Sequence, residues 1–90
     1  MKKHFSLLIS GHVQGVGFRY HVLQTAIRMN ISGFVRNLPN GDVSIEAEGT
    51  PDQLDAFMTW IRQGPSGARV KNVRIIEGKS QNYEGFEIAG

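Results

Sequence analysis

The sequence predicts an α+β fold in which two helices cover one face of a sheet of four to five strands. Short apolar runs and two stretches of helical spacing follow one another in the order strand, helix, strand, strand, helix, strand. The strand at residues 42–48 alternates strictly between apolar and polar side chains, which indicates one buried face and one solvated face. The 90 residues contain no linker or repeat, so we expect a single domain spanning residues 1–90.

The first half of the chain supplies three of these elements. Residues 5–10 form an apolar run before a glycine, as is typical of a buried central strand. Residues 19–30 show helical spacing without glycine or proline, and residues 34–38 favour a second strand. The dipeptide Asn40-Gly41 then predicts a tight hairpin turn, because both central residues of such a turn adopt positive φ. The core face of the first helix is expected to contain Val22, Leu23, Ala26 and Ile27.

The second half begins with a well-marked helix. Thr50 suits the N-cap and Pro51 the first helical position, and the glycine-rich residues 64–67 end the helix. Strands at residues 70–76 and 86–88 complete the set. The buried stripe of this helix is expected to contain Leu54, Phe57, Met58 and Ile61.

This order of elements is the split βαβ, or ferredoxin-like, pattern with an antiparallel sheet. Right-handed crossovers place the first two strands parallel to each other, with the third strand between them and the second strand at a sheet edge. The ends of the first two strands then meet at the same end of the sheet, about 10 Å apart. Residues 11–19 and Asn37 should therefore share one site.

The loop at residues 11–19 has the features of an anion site. Its glycines allow close approach of the backbone to a ligand, and it leads directly into a helix N-terminus. Residues 15–20 contain no Ser, Thr, Asp or Asn to cap that helix, so its free N–H groups are available to an anion. The alternative is a tight turn capped by water or by Gln14.

Two side chains could act on an anion held there. The planar guanidinium of Arg19 can donate two parallel hydrogen bonds to phosphoryl oxygens, although it could equally be a solvated helix residue. The amide of Asn37 both donates and accepts hydrogen bonds and can hold a water molecule, although asparagine beside a turn is commonly structural. His4, His12 and His21 are expected at the surface or in loops, with His12 a candidate for the wall of the site.

Composition and charge exclude several classes of protein. There is no cysteine, and neither the histidines nor the acids show the spacing of metal ligands, so we expect no metal and no cofactor. No segment resembles a signal peptide or a membrane span, which favours a cytoplasmic location without membrane contact. Residues 1–41 carry five basic side chains and no acid, whereas residues 42–90 carry eight acids and five bases. Unless this asymmetry is chance, the first half faces something anionic.

Two stretches of sequence carry a family resemblance. Gly11-His12-Val13-Gln14-Gly15-Val16-Gly17-Phe18-Arg19 resembles the first signature of the acylphosphatases. Gly33-Phe34-Val35-Arg36-Asn37, followed by Gly41, Val43 and Gly49, resembles the second signature at the right separation. The resemblance covers essentially the whole chain and implies the same ferredoxin-like fold.

The resemblance also implies roles for individual residues. The catalytic arginine of the family falls on Arg19 and its water-orienting asparagine on Asn37. Two departures are visible: His12 stands where the family often has arginine, and the chain ends in Ala89-Gly90 instead of a basic and an aromatic residue. The phosphate cradle of the family falls on the loop backbone of Val13, Gln14, Gly15, Val16, Gly17 and Phe18.

The function implied is hydrolysis of acyl phosphates by a monomer that binds acyl phosphate or inorganic phosphate. Two other functions remain open at this stage. An RNA-binding module would need aromatic side chains on the exposed sheet face, where the third strand instead places Ser44, Glu46 and Glu48. An anion-binding or regulatory domain without catalytic activity would share the same loop.

Overall fold

The computed structural model describes all 90 residues, with two helices packed on one face of a five-stranded sheet. Neither helix is long and apolar enough to cross a lipid bilayer. The elements in chain order are β1 (Lys3–His12), α1 (Phe18–Arg28), β2 (Ser32–Asn37), β3 (Val43–Gly49), α2 (Pro51–Gln63), β4 (Arg69–Gly78) and β5 (Phe86–Ile88).

The sheet has the strand order β4-β1-β3-β2-β5, which confirms the predicted topology around its centre. Strands β1 and β2 are both antiparallel to β3, so they run parallel to each other on either side of it. The expectation that β2 forms a sheet edge is wrong. Strand β5 pairs with β2 in parallel, which makes the sheet mixed and leaves β4 and β5 at its edges. The three-residue length of β5 gave no periodicity from which this pairing could be predicted.

The core lies between the sheet and the helices and contains fifteen buried apolar side chains. Helix α2 buries the predicted stripe, and its N-terminus has a capping box in which Thr50 and Gln53 bond to each other's backbone. The prediction for α1 is partly wrong. Ile27 is 60% exposed and Leu23 is only half-buried, because the buried face includes Phe18 and Thr25 and is therefore centred on another side of the helix. That face consists of Phe18, Val22, Thr25 and Ala26.

The connection between β2 and β3 is longer than the predicted two-residue turn. Gly41 has φ of 98°, but Asn40 does not have positive φ. The side-chain oxygen of Asn40 instead accepts a hydrogen bond from the Asp42 N–H at 3.0 Å. This bond provides a local turn geometry that needs one left-handed residue, so the strands end at Asn37 and restart at Val43.

The alternation of β3 predicted that the sheet face opposite the helices is exposed to solvent. This prediction is wrong for part of that face. Glu48 is completely buried and His4 is 4% exposed, so the expectation that His4 lies at the surface is also wrong. Both are covered by residues 79–85, the connection between β4 and β5, which we call the strap. A strand pattern cannot show that a later segment crosses the polar face of the sheet.

The strap is held by an acid–histidine cluster, which we define as the buried His4 and Glu48 together with the half-buried Glu46. The His4 Nδ1 lies 2.8 Å from the Glu48 carboxylate, and the His4 Nε2 lies 2.6 Å from that of Glu46. With a carboxylate at each ring nitrogen, a charged imidazole can donate from both nitrogens, which favours that form. The Glu48 carboxylate also accepts hydrogen bonds from the backbone N–H groups of Gln81 and Tyr83 in the strap.

Burial and hydrogen bonding act in opposite directions on the pKa values of this cluster. Burial by itself would lower the pKa of His4, but the hydrogen bonds and charges of Glu48 and Glu46 outweigh it and raise that pKa above 6.5. Burial would raise the pKa of Glu48, but the Gln81 N–H, the His4 ring and the Tyr83 N–H together lower it below 4.5. The charged pair is therefore the stable form between pH 4.5 and 6.5.

This cluster predicts a pH dependence of folding stability. A raised pKa of His4 contributes stability that is fully present below pH 6.5 and is lost as the pH rises through the raised value. A lowered pKa of Glu48 contributes stability that is fully present above pH 4.5 and is lost as the pH falls through the lowered value. The cluster therefore stabilises the fold most between pH 4.5 and 6.5.

Urea unfolding at several pH values checks this expectation. The free energy of unfolding should fall on the alkaline side of pH 6.5 in the wild type, and this slope should be absent in His4→Gln. His21→Gln is the matched control, because His21 is exposed and makes no ion pair. The same slope in wild type and His4→Gln would show that His4 is not the source of this pH dependence.

Candidate active site

A pocket of about 210 Å³ opens where β1, β2 and β5 end beside the N-terminus of α1. Strands β1 and β2 end at the same side of the sheet because both are antiparallel to β3, as the predicted topology required. The pocket therefore brings the loop after β1 together with the last residue of β2. Its lining includes seven residues predicted to form the site: Val13, Gln14, Gly15, Gly17, Phe18, Arg19 and Asn37.

The loop between β1 and α1 is anchored at both ends by buried side chains. Val13 and Phe18 are each 1% exposed, and the Phe18 ring stacks on Trp60 of α2 with 6.4 Å between centroids. Between these anchors, Gly15 and Gly17 both have φ of 75°, in the left-handed region that favours glycine. The core therefore fixes the path of the loop, and the two glycines let its backbone face the pocket.

Gln14 ties this loop to the connection between β2 and β3. Its side-chain Nε2 donates hydrogen bonds to the carbonyl oxygens of Leu38 and Asp42, both at 2.8 Å. The side chain thus crosslinks the two sides of the pocket and does not cap α1, which settles one alternative left by the sequence. The N-cap of α1 is Gly17, so no side chain caps the first N–H groups of this helix.

The backbone N–H groups of residues 14–20 have no acceptor within the chain. None of them donates to a carbonyl in the turns and loops, and the first helical bond at this end runs from His21 N to Gly17 O at 3.1 Å. No acidic side chain lies in the first turn of the helix. Seven consecutive donors at the positive end of a helix dipole form a strong site for an anion.

The two predicted catalytic side chains lie at the same pocket and are also without protein partners. The guanidinium of Arg19 forms no ion pair and no hydrogen bond within the chain. The side-chain oxygen of Asn37 is buried and likewise has no hydrogen-bond partner. Since buried acceptors in folded proteins are nearly always paired, this oxygen is placed to bind a ligand or a water molecule.

The remaining predicted residues take more ordinary positions. Val16 does not line the pocket, because its half-buried side chain packs against the core. His12 is exposed and lies outside the pocket, paired with Arg69 at the end of β1 and β4. The residues lining the pocket include no histidine, cysteine, aspartate or glutamate. The pocket thus offers neither the usual metal ligands nor these common covalent nucleophiles.

Sequence reasoning missed two residues of the pocket, Tyr20 and Ile88. Tyr20 follows Arg19 in the first turn of α1, and its hydroxyl accepts a hydrogen bond from Gln24 at 3.0 Å. Ile88 arrives through the parallel pairing of β5 with β2, in which it lies opposite Val35. The position of Tyr20 directly after Arg19 could have been noticed in the sequence. The position of Ile88 depends on a strand pairing that the sequence did not indicate.

Comparison with known proteins shows one family of relatives. An acylphosphatase family model matches residues 5–88 of the chain. Among curated relatives, the acylphosphatase of Vibrio cholerae is 44% identical over 82 residues, which cover 90% of each chain. The acylphosphatase of Methanospirillum hungatei is 47% identical over 87 residues, which cover 96% of each chain.

Solved structures show the same fold. The acylphosphatase from Bacillus subtilis superposes with a TM-score of 0.95 at 32% identity, with both chains covered completely. Full-length HypF in its phosphate- and nucleotide-bound form contains a region similar to this chain, with a TM-score of 0.90 at 30% identity over 12% of that chain. The ferredoxin-like fold, the match to residues 5–88 and these identities show that the chain belongs to the acylphosphatase family.

Proposed function

We propose that this protein hydrolyses acyl phosphates with the loop at residues 13–18 and Arg19 holding the phosphoryl group, while Asn37 orients water. Family membership supports the reaction, and the residues that line the pocket support these separate roles for the loop, Arg19 and Asn37. The oxygen of water attacks phosphorus, and the bond between phosphorus and the acyl oxygen breaks. Its electron pair leaves with the carboxylate, and the proton of the water passes to the phosphate. The products are a carboxylate and inorganic phosphate.

The unpaired backbone donors carry the proposal. A phosphoryl group in transfer spreads negative charge over its non-bridging oxygens, and catalysis consists mainly of positioning and charge stabilisation. The N–H groups of residues 14–20 have no internal acceptors, and six of these seven residues line the pocket, so the free donors can bind these oxygens without first breaking other bonds. Because the loop is anchored at Val13 and Phe18, the donors are preorganised.

Arg19 adds a full positive charge to these dipoles. Its guanidinium is not compensated by a carboxylate within the chain and lines the same pocket. It can donate two parallel hydrogen bonds to phosphoryl oxygens in the ground state and in the transition state. Arg19 therefore contributes to both substrate binding and rate.

Asn37 lies across the pocket from the loop, at the end of β2. Its buried side-chain oxygen accepts no hydrogen bond from a donor within the chain. A water molecule that donates to this oxygen would be held near the phosphoryl group. Such a water is aligned for attack in line with the departing carboxylate. Asn37 therefore contributes mainly to turnover.

The leaving group explains why so few side chains are needed. A carboxylate is a stable anion and departs without protonation by a general acid. The pocket accordingly requires no acidic side chain, and the proposed reaction requires no metal ion. Arg19, which lines the pocket, supplies the charge that a metal would otherwise supply.

We also propose that the protein acts as a single-domain monomer in the cytoplasm. Residues 1–90 share one core of fifteen buried side chains, which supports a single working domain. The outer edge of β4 carries Lys71 and Arg74, and charged side chains of this kind oppose pairing with a second chain. We therefore place the protein as a monomer, and the absence of cysteine fits action in the cytoplasm.

Replacing Arg19 should impair binding and chemistry together. Arg19→Ala is expected to lower kcat for benzoyl phosphate about 100- to 1000-fold and to raise KM, because a charged donor to the phosphoryl group is lost. Steady-state hydrolysis with a chelator present measures both constants. Arg36→Ala is the matched control, since Arg36 is exposed on β2 and makes no ion pair. Equal activity of Arg19→Ala and Arg36→Ala would remove Arg19 from the mechanism.

Replacing Asn37 should act mainly on turnover. Asn37→Ala is expected to lower kcat about 100- to 1000-fold while KM stays close to the wild-type value, because the water is no longer held. Asn72→Ala on the exposed edge strand is the matched control. Undiminished kcat in Asn37→Ala contradicts the water-positioning role. A folded wild type that binds phosphate but does not hydrolyse benzoyl phosphate would instead favour the anion-binding domain without activity.

Replacing Gln14 should loosen the pocket. Gln14→Ala removes two hydrogen bonds to carbonyl groups and is expected to lower the free energy of unfolding by about 1–3 kcal/mol. It should also raise KM, since the loop is no longer tied to the β2–β3 connection. Urea unfolding and steady-state kinetics measure these effects. Gln63→Ala provides the comparison, because Gln63 is exposed and makes no side-chain hydrogen bond, and equal stability of the two variants would argue against the crosslink.

A further inference from the structure

We propose that Tyr20 and Ile88 form an acyl-binding wall that gives the site a preference for apolar acyl groups. This inference rests on the proposed hydrolysis of acyl phosphates and extends it to the substrate class. Both residues line the pocket that contains Arg19 and Asn37. The wall is built by two elements that are distant in sequence, the first turn of α1 and the last strand β5.

The first support is the exposure of these side chains. Tyr20 is 56% exposed and Ile88 is 39% exposed, whereas the other large apolar residues of the pocket, Val13 and Phe18, are buried in the core. Tyr20 and Ile88 therefore present free apolar surface to anything that occupies the pocket. Burying that surface against an apolar acyl group is favourable in proportion to the area removed from water.

The second support is the distribution of charge in the pocket. Arg19 is the one charged side chain among the residues that line it. When Arg19 holds the phosphoryl group, no further cation remains there to pair with a carboxylate or phosphate on the acyl side. An anionic acyl group would lose hydration without compensation, so the lining favours a neutral one.

The third support is that the wall is held in place. The Tyr20 hydroxyl accepts a hydrogen bond from Gln24 one helical turn away, which restricts the orientation of the ring. The backbone at Ile88 is fixed against β2, by its pairing opposite Val35 and by the hydrogen bond from the Ala89 N–H to the Val35 carbonyl at 2.8 Å. Contact with a wall of fixed side chains costs a ligand little ordering entropy.

Comparing benzoyl phosphate with acetyl phosphate tests this wall. The ratio of kcat/KM for benzoyl phosphate to kcat/KM for acetyl phosphate is expected to fall about 10-fold in Tyr20→Ala and in Ile88→Ala. The loss of one apolar contact changes discrimination between substrates by about that factor. Tyr20→Phe keeps the ring and should keep the ratio. Ile27→Ala is the matched control, because Ile27 is an exposed isoleucine on the same helix that lies outside this pocket. The intrinsic reactivity of the substrates cancels when variant and wild-type ratios are compared.

Competitive inhibition by inorganic phosphate separates acyl contact from damage to the cradle. If the wall contacts the acyl group alone, the inhibition constant stays at the wild-type value while the substrate ratio falls. An unchanged ratio in both alanine variants, or a fall matched in Ile27→Ala, overturns the wall. A fall accompanied by equally weakened phosphate inhibition also overturns it. If the wild type hydrolyses neither substrate, the proposed function itself fails, and the inference fails with it.

Discussion

The active site depends on a loop whose backbone donors are left without partners. In most proteins a helix begins with a side chain that caps its first N–H groups, and α2 follows this rule through Thr50. Helix α1 does not, and the seven N–H groups of residues 14–20 remain free. The buried anchors of the loop and the Gln14 crosslink hold this segment in place without a side-chain cap. In the proposed mechanism, the fold thereby maintains a site complementary to phosphate before phosphate binds.

The rest of the molecule can be understood as support for this loop. The parallel orientation of β1 and β2 brings Asn37 to the same end of the sheet as the loop. On the opposite face, the acid–histidine cluster holds the strap through Glu48, and the strap leads into β5. Strand β5 then covers the edge of β2 and places Ile88 in the pocket. The buried charge pair thus contributes to the position of Ile88 in the pocket.

Most of the fold and the phosphate side of the site could be predicted from the sequence, and the reasons are local. Glycine spacing, the missing cap and the order of elements placed the loop, Arg19 and Asn37 at one pocket. The errors arose where distant segments decide the outcome. The alternating pattern of β3 cannot show that the strap covers Glu48. A strand of three residues, such as β5, is too short for its sequence to indicate which strand it pairs with. Ile27 was misplaced because the buried face includes Thr25, a polar residue that an apolar pattern does not assign to the core.

The most direct test of this account is to follow the backbone amides by two-dimensional NMR while inorganic phosphate is added. If the unpaired donors form the cradle, the amide resonances of residues 14–20 should shift together and saturate at one affinity. The control is Arg19→Ala, in which the same resonances should require a higher phosphate concentration. Shifts that spare residues 14–20 and concentrate elsewhere, for example along the basic edge of β4, would contradict the central claim.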